Sequence, residues 1–277
     1  MNEAQPTRGA ERRRSVRSLV EDLRRLGVTA GDLLMVHASL RAVGPVDGGA
    51  DGVLDALEGA VGTDGTLMMT FGARDDWAWV NERPESERAA LLVDAVPFDA
   101  LVAPADPDVG VLAEVFRTRP GTRVSDHPEG RFGASGRLAE PLVVDVPWDD
   151  YYGPGSPLER LLHAGGRILR LGADLDAVTM IHHAEYLAPV PGKRRVRRHR
   201  LVQGRAGPEI RVVECLDDDN GIADHPGEDY FAVLLREYLA TGRASTGLVG
   251  GATSELIDGG DLVEHAVAWM TEHLTPS

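Results

Sequence analysis

The stretch Ser156-Pro157-Leu158-Glu159-Arg160-Leu161-Leu162-His163-Ala164-Gly165-Gly166-Arg167-Ile168-Leu169-Arg170-Leu171 holds one complete helix-to-strand unit. Ser156 is a strong N-cap, Pro157 takes the first helical position, where a missing N–H costs nothing, and Glu159 completes a capping box. Leu158, Leu161 and Leu162 share one face. Gly165-Gly166 stops the helix, and Arg167–Leu171 reads as a short buried strand. Helices and short apolar strands alternate in this way through much of the chain. That predicts an α/β fold: a single large domain with a central mixed β-sheet flanked by helices.

Working back toward the N-terminus, residues 33–37 and 66–71 read as strands. A helix carrying Val53, Leu54, Leu57 and Val61, capped by Asp51, lies between them. The first helix carries Leu19, Leu23 and Leu26, with Ser18 and Glu21 at capping-box spacing and Gly27 as its stop. Residues 72–108 form a long irregular insertion, a hallmark of functional loops. Val111, Leu112, Val115 and Phe116 mark another helix, 125–136 is polar and glycine-rich, and 142–146 reads as extended. Working forward, the pattern predicts a helix over 176–186, strands over 196–202 and 209–216, a helix over 230–239, an extended piece over 248–256 and a final helix. Residues 1–14 read as a mobile leader and 15–277 as the domain.

Composition narrows the function. The 277 residues carry 29 Lys and Arg against 44 Asp and Glu, a net charge of −15. A nucleic-acid partner would meet a surface of its own sign. A cationic partner would be attracted, although the same charge also serves plain solubility. No run of about 18 apolar residues exists to span a membrane. The lone Cys215 permits no internal disulfide, which suits the cytoplasm. Six arginines and lysines over 193–200 make the one basic block.

The densest chemical cluster is Thr179-Met180-Ile181-His182-His183-Ala184-Glu185. At helical spacing Thr179, His182 and Glu185 share a face, offering a hydroxyl, an imidazole and a carboxylate, the parts of an oriented general base. A capped helix with a surface His/Glu pair fits the same spacing. The order is not His-Glu-x-x-His, and adjacent histidines on a helix diverge, so no metal is expected. His37 ends a strand and enters Ala38-Ser39-Leu40, where α/β sheets place sites. Exposed backbone N–H groups there, and at the helix beginning at Ser156, can hold an anion. Asp75, Asp76, Asp149 and Asp219, with Trp77 and Tyr152, can line a cleft for a cationic ligand with a flat or sugar-like body.

The ordered set decides more than any one motif. His37-Ala38-Ser39-Leu40-Arg41-Ala42-Val43-Gly44, Gly65-Thr66-Leu67-Met68-Met69, Asp126-His127-Pro128 with Gly133-Ala134-Ser135-Gly136, Gly153-Pro154-Gly155-Ser156-Pro157-Leu158 and 179–185 together resemble the aminoglycoside 3-N-acetyltransferase family over about residues 19–274. The resemblance implies an enzyme outside the Gcn5-type fold that transfers acetyl from acetyl-coenzyme A to the 3-amino group of a 2-deoxystreptamine ring, conferring resistance. It implies His182 as the catalytic base, Glu185 as its acidic partner and the turn of Ser39, Leu40 and Ala42 as the coenzyme-binding loop. The residues themselves add Thr179 as a hydrogen-bond donor to the developing oxyanion, His37 and Ser156 as further coenzyme contacts, and Asp75, Asp76, Trp77, Asp149, Tyr152 and Asp219 as drug contacts. His183 departs from the apolar or aromatic residue usual in relatives, and 72–103 does not match closely. The expected partners are a cationic aminoglycoside and acetyl-coenzyme A, with a homodimer compatible. The acidic excess should gather near Asp75, Asp149, Glu185 and Asp219. The basic block should lie away from the drug, pairing with a coenzyme phosphate or forming a solvated strand edge. The competing readings are an acetyltransferase for another amine metabolite, a metal-dependent hydrolase using His37, His127, His182 and Asp126, and a sugar-binding module.

Overall fold

The structure, a computed structural model, describes residues 13–72, 76–204 and 206–274. The expected leader lies outside them for residues 1–12; Arg14 already pairs with Val46 in a parallel bridge. Helix α1 (Val16–Leu26) buries Leu19, Leu23 and Leu26. Its cap is Ser15, whose hydroxyl accepts the Ser18 N–H at 3.2 Å, so the expected Ser18 cap is one turn-step late. Strand β1 (Leu33–Ala38) leads into the short α2 (Leu40–Val43) and then α3 (Gly49–Val61). The N-cap of α3 is Gly48, and Asp51 sits in its first turn instead of capping it. Strand β2 (Thr66–Thr70) follows.

The 72–108 insertion contains a 3-10 turn at Ala78–Glu82, helix α4 (Glu85–Leu91) and a second 3-10 turn at Pro107–Val109. Helix α5 (Val111–Thr118) and strands β3 (Arg123–Val124) and β4 (Phe132–Gly136) return the chain to the sheet. Strand β4 hides in the glycine-rich run because the Phe71 ring lies across it: a Cβ on Gly133 would fall 2.1 Å from Phe71 Cζ. The expected extended piece at 142–146 is instead the end of α6 (Ala139–Val143), a run too short for periodicity to separate helix from strand.

Helix α7 (Pro157–His163) and strand β5 (Arg167–Leu171) form as the opening stretch predicts. The Ser156 hydroxyl accepts the Glu159 N–H, and the Glu159 carboxylate reaches back to the Gly155 N–H at 2.7 Å. The expected 176–186 helix is a 3-10 turn at Leu175–Ala177 followed by α8 (Met180–Leu187). Strands β6 (Arg195–Gly204) and β7 (Gly207–Leu216) form a two-stranded hairpin, to which Phe98 adds a single parallel bridge at Val202. After α9 (Tyr230–Ala240), the single expected extended piece proves to be two strands, β8 (Ser245–Val249) and β9 (Ala252–Asp258). Helix α10 (Gly259–His273) closes the chain.

The main sheet runs β3-β4-β2-β1-β5-β9-β8, with β1 parallel to both β2 and β5 and the other pairs antiparallel. It is mixed and has helices on both faces. Side-chain alternation sorts the core. Leu33, Met35 and Ile168 pack with α6–α10, while Leu34, Val36 and Leu169 pack with α1, α3 and α5. The C-terminal ends of β1, β2 and β5 therefore open at one edge, beside the insertion and the start of α8.

Candidate active site

Helix α8 carries the pair the sequence singles out. His182 Nδ1 donates to Glu185 Oε2 at 2.8 Å, and Glu185 is 1% exposed. A surface pair is thereby ruled out. Tyr230 of α9 donates its hydroxyl to Glu185 Oε1, and that hydroxyl accepts the Ile222 N–H at 3.2 Å. Both carboxylate oxygens are thus held, and with Nδ1 committed to the carboxylate the lone pair of His182 rests on Nε2. The ring is stacked on Tyr152 (centroids 5.0 Å apart, 12° between planes) and meets Phe231 at 4.6 Å. Burial works against the imidazolium, but the Glu185 charge and hydrogen bond outweigh it, with help from Asp218 and Asp229. The pKa of His182 lies above the ordinary imidazole value.

The neighbouring His183 has a different task. Its Nδ1 donates to the Tyr152 carbonyl at 2.8 Å, which anchors the ring that stacks on His182. Tyr151 packs edge-on against Tyr152, and its hydroxyl donates to Asp218 Oδ2 at 2.5 Å. Arg198 then reaches Tyr151 Oη at 3.1 Å and the carboxylates of Asp218 and Asp219, each at 2.7 Å. The basic block is a strand-edge run that is ion-paired along its length, with Arg195 and Arg197 still exposed. Arg194 pairs with Asp224, Arg195 with Asp150, Arg197 with Glu85, Arg198 with Asp218 and Asp219, and buried Arg200 with Glu129. These pairs brace the β6–β7 hairpin against the body.

At the strand ends, a cleft of about 1040 Å³ is lined by His37, Ser39, Leu40, Ala42, Gly172 and Thr179, among others. Gly172 is required there: its φ is +63°, and a Cβ would lie 2.6 Å from that of Ala42. The Ser39 hydroxyl caps α2 by accepting the Ala42 N–H. Thr179, the residue before α8, caps no helix N–H with its side chain. The expectation for Ser156 fails. It is fully buried beneath its own helix cap and does not line this cleft, so it has no face to offer a coenzyme.

The expected drug contacts scatter. Asp75 lies outside the described residues. Asp76 and Trp77 sit at the insertion's start, with Trp77 6.0 Å from the Trp79 ring. Asp149 accepts the Glu214 N–H at 2.8 Å, and Asp219 pairs with Arg198, so both carboxylates serve the hairpin. Only Tyr152 lies directly against the base. A second cleft of about 750 Å³, between insertion and hairpin, presents Asp99, Asp126, Glu209 and Trp148.

The hydrolase reading loses its ligand set. His127 is consumed by backbone: Nδ1 accepts the Gly130 N–H at 2.7 Å and Nε2 donates to the Trp148 carbonyl at 2.8 Å. Among the described residues no three His, Cys, Asp or Glu side chains converge as metal ligands. Tyr230, Phe231 and Asp218 carried no distinguishing signal, and His183 only that of an unusual residue beside the base. Tyr230 meets Glu185 across 45 residues of sequence, and only the fold relates them.

The aminoglycoside 3-N-acetyltransferase family profile matches residues 35–271. An aminoglycoside N(3)-acetyltransferase VII of Streptomyces paromomycinus is 39% identical over 268 residues, covering 92% of this chain and 91% of the relative. The solved structure of AAC-IIIb in binary complex with CoASH superimposes with a TM-score of 0.89 at 38% identity, covering 96% of this chain and 100% of that one. Sisomicin-bound AAC-VIa superimposes with a TM-score of 0.87 at 38% identity, covering 95% and 100%. The chain belongs to the aminoglycoside 3-N-acetyltransferase family.

Proposed function

We propose that His182 is the general base with which this acetyltransferase moves an acetyl group from acetyl-coenzyme A to the 3-amino group of an aminoglycoside. The observation that carries this is the buried, doubly held Glu185 behind a histidine whose Nε2 is left free. An amine attacks a thioester directly, so no enzyme nucleophile is needed. The protein must position the amine, take its proton and support the oxyanion. Glu185 fixes the His182 tautomer and sustains its basicity, so Glu185 acts through His182.

The cleft of His37, Ser39, Leu40, Ala42 and Thr179 is the place for the coenzyme's acyl end. Two relatives support the assignment of ligands, one solved with CoASH and one with sisomicin. Carboxylates of the insertion and hairpin, with Asp76 beside Trp77 at the insertion's start, would take the remaining ammonium groups. The reading places the reaction in the cytoplasm; among the described residues no helix is long and apolar enough to cross a membrane.

The test is thiol release from acetyl-coenzyme A across a panel of aminoglycosides, with analogues lacking the 3-amino group as controls. Release with the parent drugs and none with the analogues is expected. Equal release with both would reject the 3-amino assignment, and release only with unrelated amines would favour another metabolite as substrate.

A further inference from the structure

Three buried polar residues occupy one rung across three adjacent strands. His37 on β1 stands opposite Arg170 on β5, and Arg170 stands opposite Glu255 on β9. Their exposures are 7%, 8% and 3%. By alternation they point to the same face as Leu33, Met35, Ile168 and Ile257, the face that α8 covers. Arg170 pairs with Glu255 at 2.7 Å and donates from one terminal nitrogen to the Ala173 carbonyl, while its Nε has no hydrogen-bond partner among the described residues. His37 has neither an ion pair nor a bond at Nε2, which is buried with no hydrogen-bond partner among the described residues. Buried polar atoms in native proteins are ordinarily paired, and an exception calls for a reason.

The position supplies one. His37 lines the cleft that also holds the Ser39 turn, Gly172 and Thr179, so the unpaired ring stands across from the start of the helix that carries His182. We propose that the His37 imidazole is a catalytic hydrogen-bond donor that holds the thioester carbonyl oxygen while the amine adds to the carbonyl carbon. This rests on the acetyl-transfer reading given above.

The step balances. The amine lone pair forms the C–N bond, the C=O π pair moves to oxygen, and the His37 N–H holds that oxygen. His182 takes the proton from the new ammonium. The pair then returns to reform C=O, the C–S bond breaks toward sulfur, and the thiolate takes the proton from His182. The products are the acetamide and coenzyme A. A donor in this place must not give its proton away, and the surroundings of His37 ensure that. Burial first, and then the Arg170 charge, hold its pKa down to about 4, so the ring is neutral whenever the base is active. Glu255 balances Arg170, so no bare cation lies under the cleft.

The experiment compares His37→Leu and His37→Asn with the wild type, measuring thiol release with an aminoglycoside the wild type acetylates and coenzyme A binding by calorimetry. For the Leu variant kcat should fall about 10²-fold, the scale of one lost oxyanion donor. KM for acetyl-coenzyme A and Kd for coenzyme A should stay within about threefold, and the acid limb of the pH profile should not move. The Asn variant, which keeps a donor and separates misfolding from donor loss, should recover about tenfold. A Leu variant within about threefold of wild-type kcat would overturn the proposal. So would a loss confined to KM and Kd, which makes His37 a coenzyme contact only. If the wild type itself releases no thiol with any amine, the acetyl-transfer reading falls and takes this assignment with it. A wild type that turns over beside an equally active variant rejects His37 alone.

Discussion

Two histidines carry the proposed reaction, one on a strand and one on a helix, and their surroundings drive them apart. His37 sits at the end of a strand beside an arginine and has no carboxylate on its ring. His182 sits on a helix against a buried glutamate. Both are desolvated, which alone would keep each neutral. The local charge decides the outcome: Arg170 adds to the effect of burial at His37, and Glu185 overrides it at His182. The same ring thereby becomes a donor that keeps its proton on the strand and a base that takes one on the helix. Identity of residue therefore says little about role here; the neighbour one rung or one helical turn away says more.

The sharpest way to break this contrast is to remove the base. His182→Ala should lower kcat about 10²–10⁴-fold, read by thiol release; a variant within a few-fold of wild type would show that His182 takes no proton. Next comes Glu185→Gln, which should cost about 10–10²-fold and shift the pH profile. The sign follows from the charges. With Glu185 present the His182 pKa is raised, so activity should fall as pH drops through a value above the ordinary 6.5. Without it burial is opposed only by the more modest pull of Asp218 and Asp229, the imidazole stays neutral to lower pH, and the acid limb should move down. A limb that stays in place would assign it to another group.

On the strand side, Arg170→Met removes the cation beside His37 and leaves Glu255 unpaired. The His37 pKa should rise from about 4, by ring titration in NMR, with little change in the acid limb of kcat/KM. A smaller effect belongs to the insertion's anchor. Arg131 is fully buried, with its guanidinium donating to the carbonyls of Ala100, Ala103 and Pro104 between the rings of Phe71 and Phe98. Arg131→Met should cost about 1–3 kcal/mol, the penalty for carbonyls left unsatisfied, measured by denaturant unfolding. It should leave the pH limb untouched.

Most of the fold was legible because capping chemistry and apolar spacing are local. Ser156-Pro157-Leu158-Glu159 and the Gly165-Gly166 stop act within one turn, and α7 and β5 follow as read. Failures came where a distant partner decides. Strand β4 needs Phe71 to explain Gly133, and the hairpin's arginines need Asp150, Asp218 and Glu129 from elsewhere in the chain. At the site the His182/Glu185 spacing was visible, and so was the strand-end position of His37. The opposed protonation of the two rings was not, since Arg170, Tyr230 and Asp218 arrive only through sheet register and helix packing. The expected gathering of carboxylates was also too simple, because Asp149 holds a backbone N–H of the hairpin and Asp219 pairs with its Arg198.

The insertion meets that hairpin in a way that matters beyond the cleft. Strand β6 pairs with β7 along one side, and its other side is occupied rung by rung. Arg88 donates to the Arg197 carbonyl, the Asn81 side chain holds both the N–H and the carbonyl of His199, and Phe98 bonds the Leu201 carbonyl and the Gln203 N–H. A ten-residue strand with a bare edge is a template for pairing with other chains. By occupying that edge with side chains and one short bridge, the 76–104 segment guards the folded molecule against self-association. A protease cut within 85–91 that frees Asn81 from Phe98 would expose a strand already prepared for aggregation. Variants that alter this segment therefore carry a solubility constraint.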